Sequence, residues 1–351
     1  MDRRIASVRE WSLARLLRVS LSCIPALALL ACGGGGGGAG GGTPSAPTAT
    51  GLVITTANAP AVAAEALETT TSTDAATAGG QFVTGVQIGA DGVGHPQLLT
   101  SAARALLARP RASSTVATGA AVSEACTGGG TITVDAITSG ASYLVVGDSL
   151  RISASNCSEP VDGTTVVMNG SVSIAVTSGS YDPNSSVYPK SVTLRIVTSN
   201  FSVGASGRTE VFDGDLTLAL TEISATSGSL TATAASLSST LGSRRITMGD
   251  YRLQVAQTSA GSTLSVSANV ETNNGRLGAT PVRYTLMTES PVTVSSSGSV
   301  TAGSIRITGS NSSLLLVVTS TDTLSLQVDT NGDGTIDSTR AITRADLQAL
   351  N

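Results

Sequence analysis

The feature that most constrains this chain is an alternation of apolar and polar residues with a period of two, which begins near Cys126. The alternation is clearest over residues 192–196, 264–270 and 324–328. Successive side chains of a strand point to opposite faces of its sheet, so the pattern predicts strands with one buried face and one face in water. The sequence therefore predicts an all-β domain over residues 125–351.

Short turn signals separate these strands. They are the dipeptides Asp162-Gly163, Asn169-Gly170, Asp213-Gly214 and Asn274-Gly275, whose residue types accept the positive φ of tight hairpins. Asn169-Gly170 is the best candidate among them for a tight hairpin. Because strands joined by short turns are antiparallel neighbours, the predicted fold is an antiparallel meander that forms a sandwich or a curled sheet.

Helical patterns are confined to a small N-terminal segment and to the last residues. Residues 51–124 form a helical and low-complexity segment by composition. Within it, Asn58-Ala59-Pro60 is a typical helix start and predicts a helix over residues 61–67. A second helix is predicted over residues 97–109, where apolar residues recur with helical spacing. Near the C-terminus, residues 343–346 have the pattern of a capping box, which predicts one short final helix.

The N-terminus has the layout of a secretory signal. Basic residues precede an apolar stretch of roughly a dozen residues, shorter than the about 20 that a membrane span needs. The tetrapeptide Leu29-Leu30-Ala31-Cys32 follows and resembles a bacterial lipobox. This resemblance implies a signal peptide over residues 1–31 and lipidation of Cys32. Because Gly33 comes next, it also implies an outer-membrane destination.

Residues 32–50 are a linker that begins with a run of glycines. Such a composition cannot bury a core, so we expect a flexible tether between the anchor and the rest of the protein. Two alternatives to the lipobox stay open. One is an uncleaved membrane helix, and the other is an ordinary signal peptide with a chance cysteine.

The charge balance argues against nucleic acid as a partner. The chain has 20 basic and 24 acidic residues. Removal of residues 1–31 takes away five arginines together with Asp2 and Glu10, which leaves 15 basic and 22 acidic residues. Nucleic-acid-binding proteins carry a basic patch instead.

Cysteine usage predicts one disulfide. Cys23 leaves with the signal peptide and Cys32 is assigned to the anchor, so the mature chain keeps Cys126 and Cys157. Two cysteines in an oxidising compartment are expected to pair. The alternatives are a two-thiol metal site or a catalytic thiol, and neither has a histidine nearby in the sequence.

The most specific local motif lies near the C-terminus and contains Asp329, Asn331, Asp333, Thr335 and Asp337. It resembles a calcium loop of the DxDxDG kind, in which side-chain oxygens at alternate positions surround one cation. The resemblance implies a calcium ion as cofactor. The twelfth position is arginine where an EF-hand has a bidentate glutamate, so binding weaker than that of an EF-hand sensor is expected. The alternative is a polar turn that binds no ion.

Gly147-Asp148-Ser149 resembles the nucleophile block of GDSL esterases. Such enzymes need a general base, and the single histidine, His95, lies upstream in an apparent loop. We therefore predict that the protein is not an enzyme. The dipeptide Gly147-Asp148 is instead predicted to be a hairpin turn between residues 144–146 and 150–152.

Taken together, the lipobox, the polyglycine linker, the β-rich domain and the terminal loop resemble uncharacterised lipoproteins of Gram-negative bacteria. We predict a non-catalytic lipoprotein anchored to the outer membrane and facing the periplasm or the cell surface. Its β domain is predicted to act as a structural or adhesive binding module with a protein or cell-surface partner. The alternative is a carrier that holds a lipid or another apolar ligand in a curled sheet. A GDSL-like esterase is the third hypothesis, and the missing base disfavours it.

Overall fold

The computed structural model describes residues 49–71, 121–137, 144–161, 164–181, 186–205, 208–278, 281–296 and 299–350. Several predictions lie outside these residues. They are the signal peptide, the lipidation of Cys32, most of the linker, the helix over residues 97–109, and the loop position of His95.

The described residues form 16 strands and two helices. The strands are β1 Thr50–Gly51, β2 Val122–Ala125, β3 Thr131–Ile137, β4 Leu144–Val145, β5 Ser149–Val161, β6 Thr164–Tyr181, β7 Lys190–Ala205, β8 Arg208–Ser224, β9 Ser227–Leu241, β10 Arg244–Thr258, β11 Gly261–Thr272, β12 Val282–Ser295, β13 Val300–Thr308, β14 Ser313–Val318, β15 Thr323–Asp329 and β16 Ser338–Thr343. The helices are α1 Ala59–Thr71 and α2 Arg344–Gln348. Neither helix has the length and apolar character needed to cross a membrane.

All of the strands belong to one sheet, and its order follows the chain. Each strand from β5 to β16 pairs antiparallel with the next, and β3 and β2 extend the sheet beyond β5. The two ends of this series, β2 and β16, do not pair with each other in the described residues, so the sheet is open. The predicted all-β antiparallel meander is therefore confirmed.

The predicted alternation is visible as burial. In β11, Leu264, Val266, Ala268 and Val270 are buried, and the residues between them lie on the outer face. The apolar faces of the strands from β6 to β16 form one continuous core together with α1. The period-two pattern thus predicted correctly which side chains enter the interior.

The sheet is curled around α1. The residues Val62, Ala63, Ala64 and Ala66 are at most 2 % exposed, so this part of the helix is covered on every side, as a helix inside a protein is. Two helices of 13 and 5 residues cannot cover so many strands. The inner face of the sheet therefore surrounds α1 and covers itself, as in the curled form of the predicted fold.

The prediction of a hairpin at Asn169-Gly170 is wrong, because both residues lie inside β6. Asp213-Gly214 likewise lies inside β8. In contrast, Val161 pairs directly with Thr164, so the predicted signal Asp162-Gly163 is the whole connection between β5 and β6. Asn274-Gly275 lies, as predicted, in the connection between β11 and β12.

The two dipeptides that were wrongly predicted to be turns lie opposite β-bulges on neighbouring strands. Asn156 on β5 and Asn200 on β7 have φ values of +47° and +44°, and the strand register shifts at both. The Asn156 N–H donates to Asn169 Oδ1 at 2.7 Å, and the Asn200 N–H donates to Asp213 Oδ1 at 2.6 Å. Positive φ thus marks bulges here, and bulges bend long strands and increase their twist.

These two bulges belong to a repeated hairpin. Residues 152–176 and 196–220 align without a gap, and they correspond to the β5–β6 and β7–β8 hairpins. Nine positions are identical: Ile152/Ile196, Ser155/Ser199, Asn156/Asn200, Ser158/Ser202, Gly163/Gly207, Thr165/Thr209, Val167/Val211, Gly170/Gly214 and Ala175/Ala219. The sequence analysis missed this repeat, whose two copies begin 44 residues apart and place the bulge at the same position of each hairpin.

The N-terminal segment fills a gap in the sheet. Strand β13 ends opposite Thr285 of β12, and β1 pairs in parallel with β12 beyond that point, at Val282 and Arg283. The carbonyl of Asn58 then accepts the Val62 N–H at 3.0 Å, which begins α1 at the predicted position. The segment is thus part of the fold.

The predicted capping box of the final helix is confirmed. The Asp346 N–H donates to Thr343 Oγ1 at 3.1 Å, and the Thr343 N–H donates to Asp346 Oδ2 at 3.3 Å. Both bonds satisfy donors that the helix itself leaves unpaired.

The predicted disulfide is also confirmed, between Cys126 and Cys157. It joins the turn after β2 to β5 and lies in a second apolar cluster, which contains Ile132, Met168 and Phe201. The bond therefore ties the far end of the sheet to the β5–β8 hairpins.

Candidate functional site

The calcium-type loop follows β15 and is organised by Asp329. This side chain is only 3 % exposed. Its Oδ1 accepts hydrogen bonds from the N–H groups of Asn331 and Gly332 at 3.2 and 2.7 Å, and its Oδ2 accepts one from Gly334 at 3.0 Å. One carboxylate thus folds the next five residues around itself.

The following polar residues continue the pattern. The Asp333 N–H donates to Asn331 Oδ1 at 2.9 Å, and the Thr335 N–H donates to Asp333 Oδ1 at 2.7 Å. The backbone bond from Thr335 is the main cause that holds the pKa of Asp333 below its ordinary value. The loop therefore keeps this exposed carboxylate ionised.

Asp337, at the end of the loop, binds back to Thr330 at its beginning. Its Oδ2 accepts bonds from the hydroxyl of Thr330 at 2.5 Å and from the Thr330 N–H at 2.8 Å. These bonds lower the pKa of Asp337, with the hydroxyl as the larger cause. The Asp337 N–H then donates to the Val328 carbonyl at 2.8 Å and leads into β16.

The structure thus brings the five predicted calcium ligands into one short loop. In the part of the chain that is described, the carboxylates of Asp329, Asp333 and Asp337 do not gather within 4.8 Å of one another. The bonds to backbone N–H groups account for the loop's shape without an ion. Calcium binding stays a prediction, and the loop also serves to connect β15 to β16.

The GDSL-like block is a tight turn between β4 and β5, in which the Asp148 N–H donates to the Val145 carbonyl at 3.0 Å. Strands β4 and β5 both pair with β6, at Val145 with Ser180 and at Ser149 with Ala175. The predicted hairpin between residues 144–146 and 150–152 is therefore wrong, because the two strands do not pair with each other. The side chain of Asp148 accepts the Val145 N–H through Oδ2 at 3.1 Å, so it closes this turn.

The disulfide region contains the one group of three potential metal-ligating side chains found among the described residues, namely Cys126, Cys157 and Glu159. The two sulfur atoms are bonded to each other, so the alternative of a two-thiol metal site does not apply. Glu159 accepts the N–H and the hydroxyl of Thr127 at 3.1 and 2.8 Å. The group holds the β2–β3 turn against β5.

The sequence analysis missed a buried polar cluster in the interior. Glu65 of α1 is 1 % exposed, and its Oε2 accepts bonds from Arg244 Nη2 and from Asn274 Nδ2, both at 2.6 Å. The available signal was a single acid in an alanine-rich helix. An isolated charge inside a protein needs partners, and here the sheet supplies them.

A small apolar cavity lies beside α1. Its volume is about 70 Å³, and its wall includes Leu67, Leu264, Val292, Leu316 and Arg344. Sites for drug-sized ligands measure about 300–1,000 Å³. This cavity is therefore too small to hold a ligand of that size.

The outer face of the sheet is polar and crossed by ion pairs. Arg195 pairs with Asp215, Arg283 with Glu271, and Arg306 with Glu289, each across neighbouring strands. One register row runs across the middle of this face through Arg195, Thr217, Thr233, Arg252 and Ser267. Hydroxyl and guanidinium groups thus follow one another along this row, and the exposed Met287 of β12 comes next after Ser267.

Comparison with known proteins identifies no relative of this chain. No protein-family profile, no curated protein and no solved structure matches this chain. The site has to be interpreted from its own chemistry.

Proposed function

We propose that this protein is a non-catalytic lipoprotein whose β domain acts as a structural or adhesive binding module at the outer membrane. Cys32 carries the acyl anchor, and the glycine-rich linker holds the domain away from the lipid surface. The domain faces the periplasm or the cell surface. Its partner is a protein or another component of the cell surface, not nucleic acid.

One observation carries this proposal. The interior is occupied by the protein's own helix α1, whose residues 62–66 are all at most 2 % exposed, and the cavity beside it measures only about 70 Å³. A partner consequently meets the outside of the sheet. That surface is wide, since it spans strands of up to 18 residues.

The chemistry of the outer face supports a polar partner. The aromatic side chains of Phe201, Phe212, Tyr251 and Tyr284 are buried, so they do not offer stacking platforms. Thr217 and Thr233 instead offer hydroxyl groups between Arg195 and Arg252, and Ser267 offers another beyond Arg252. Such a surface suits a partner that is bound through many modest hydrogen bonds.

The anchor is tested by fractionating cells that express the wild type or Cys32→Ser. The wild type is expected in the outer-membrane fraction with incorporated palmitate, and the variant is expected free in the periplasm. A wild type that stays soluble and unlabelled would overturn the anchor.

The binding face is tested with the secreted Cys32→Ser protein on isolated cell envelopes. Thr233→Glu combined with Arg252→Glu should abolish saturable binding, because it inverts the charge at the centre of the outer face. The matched control is Thr263→Glu, an exposed residue nearer the end of β11. Equal binding by both variants would contradict the outer-face module.

The cavity and the buried polar cluster favour a second candidate, a carrier of an apolar ligand. The cavity shows that α1 does not fill the interior completely, and Arg244 could meet an acidic headgroup. Native mass spectrometry of the protein purified without detergent tests this candidate directly. A copurified lipid would favour the carrier over the outer-face module.

A further inference from the structure

The inner wall of the sheet carries a pair of groups suited to a carboxylate. Arg244 opens β10, and Asn274 lies in the β11–β12 connection. Both direct a donor to the same oxygen of Glu65 at 2.6 Å. An arginine beside an amide is a strong carboxylate-binding arrangement, because one bond is charge-assisted and both strengthen away from water. In this structure the carboxylate comes from the chain's own helix.

The helix that delivers this carboxylate fills an elongated apolar space. Its buried residues are mostly alanine. Residues 59–67 of the helix are buried or half-buried, and nine helical residues extend about 14 Å. The space inside the sheet therefore has the length and the apolar lining that an extended acyl chain needs.

The space continues beyond the helix. Leu67 borders the cavity of about 70 Å³, and residues 65 and 67 of a helix point in directions about 200° apart. The carboxylate-binding pair and the cavity consequently lie on opposite sides of α1. Except for Arg344, the wall between them is built mainly from apolar strand residues.

The attachment of α1 is modest for an element at the centre of a core. Burying Glu65 has a large desolvation cost that its ion pair offsets only in part. Alanine side chains bury little apolar area each. The segment that precedes the helix is held separately, by the ladder of β1, by bonds that Leu52 makes to Arg283 and Ser310, and by the bond from the Ile54 N–H to Ser312 Oγ. Displacement therefore concerns the helix alone.

We propose that α1 is a displaceable plug in a fatty-acid site. The carboxylate of the fatty acid replaces that of Glu65 on Arg244 and Asn274, and its acyl chain takes the space of α1 and extends into the cavity. This inference rests on the second candidate function, the carrier. It is independent of the outer-face module.

Calorimetric titration of the secreted Cys32→Ser protein with laurate and with lauryl alcohol tests the proposal. Glu65→Gln removes the competing charge with little change in shape, so laurate should bind about tenfold tighter to this variant, as expected for the loss of a charged hydrogen bond. Adding Arg244→Gln should weaken laurate about tenfold and leave lauryl alcohol nearly unchanged. Arg306→Gln, at an outer-face ion pair, is the matched control and should bind like the parent.

Hydrogen exchange provides the second readout. Laurate should accelerate exchange of the amides of residues 62–66, because the plug leaves its place. Laurate binding with these amides still protected would overturn the plug, as would equal affinities of the Glu65→Gln variant for laurate and lauryl alcohol. Either result would leave the carrier candidate intact. If neither the parent nor the Glu65→Gln variant binds either compound, the result would contradict both the carrier function and the proposed role of α1 as a plug.

Discussion

Gly170 on β6 lies directly against the backbone of Asn200 on β7. A Cβ atom at position 170 would stand 2.2 Å from the Asn200 carbonyl oxygen, and Gly170 has a φ of +89°. Only glycine meets both conditions without strain. We expect Gly170→Ala to lower the free energy of unfolding by more than about 1 kcal/mol. Urea unfolding followed by circular dichroism measures this change.

Gly249→Ala is the matched control for that experiment. Position 249 is also inside a strand, β10, but its nearest neighbours would be 3.8 Å from a new Cβ atom. We expect a change within about 0.5 kcal/mol. Equal losses in the two variants would mean that the bulge does not constrain position 170.

The disulfide should stabilise the domain substantially. Cys126 and Cys157 are 31 residues apart, and a closed loop of that length contributes about 3–4 kcal/mol in the chain-entropy model. Replacing both cysteines by serine should therefore shift the urea midpoint downward. The wild type treated with a reductant should approach the same midpoint. A midpoint that neither treatment changes would contradict this role.

Calcium binding by the loop after β15 is testable as a gain in stability. An extracellular type of site has a Kd of roughly 10⁻⁴ to 10⁻³ M. Calcium at about ten times its Kd would raise the free energy of unfolding by about 1.4 kcal/mol. Thermal unfolding with calcium, with magnesium and with a chelator measures the effect. Asp333→Ala should abolish the gain, whereas an identical melting temperature with calcium and with chelator would refute the prediction.

The bond between Thr330 and Asp337 should make stability depend on acid pH. The pKa of Asp337 is lowered in the folded state, so below the ordinary aspartate value of about 3.9 the unfolded chain binds more protons than the folded one. The contribution of Asp337 is complete above that value and is lost as the pH falls through the folded pKa.

Urea midpoints between pH 6 and pH 3 check this dependence. Asp337→Asn should flatten the acid limb of the profile. Thr330→Val removes the hydroxyl that is the larger cause of the shift, so it should flatten the limb in part. An unchanged limb in both variants would contradict the assignment.

The period-two pattern predicted the strands of this protein because each strand keeps one face in the core. It failed at Asn169-Gly170, since asparagine and glycine favour positive φ in a tight turn and in a bulge alike. The repeat, in which Asn156 corresponds to Asn200, would have distinguished a tight turn from a bulge. In both copies of the repeat, the dipeptide follows the connection between the two strands at the same distance in sequence.

Local patterns also predicted α1 and the capping box of Thr343, because helix starts depend on a few adjacent residues. They did not predict that α1 would lie inside the sheet. In the interior its Glu65 is paired with Arg244 and Asn274, which lie far along the chain. A pairing between such distant residues leaves no periodic signal in the sequence.

The order of the strands has a consequence for how the chain reaches this structure. Hairpins between successive strands form from nearby residues, so the sheet can grow from β2 onward while the protein is still being synthesised. Helix α1 is made before any of them, yet it contacts β14, β15 and α2. Helix α1 is therefore expected to be among the last of the described elements to settle, because strands that it contacts emerge only at the end of synthesis.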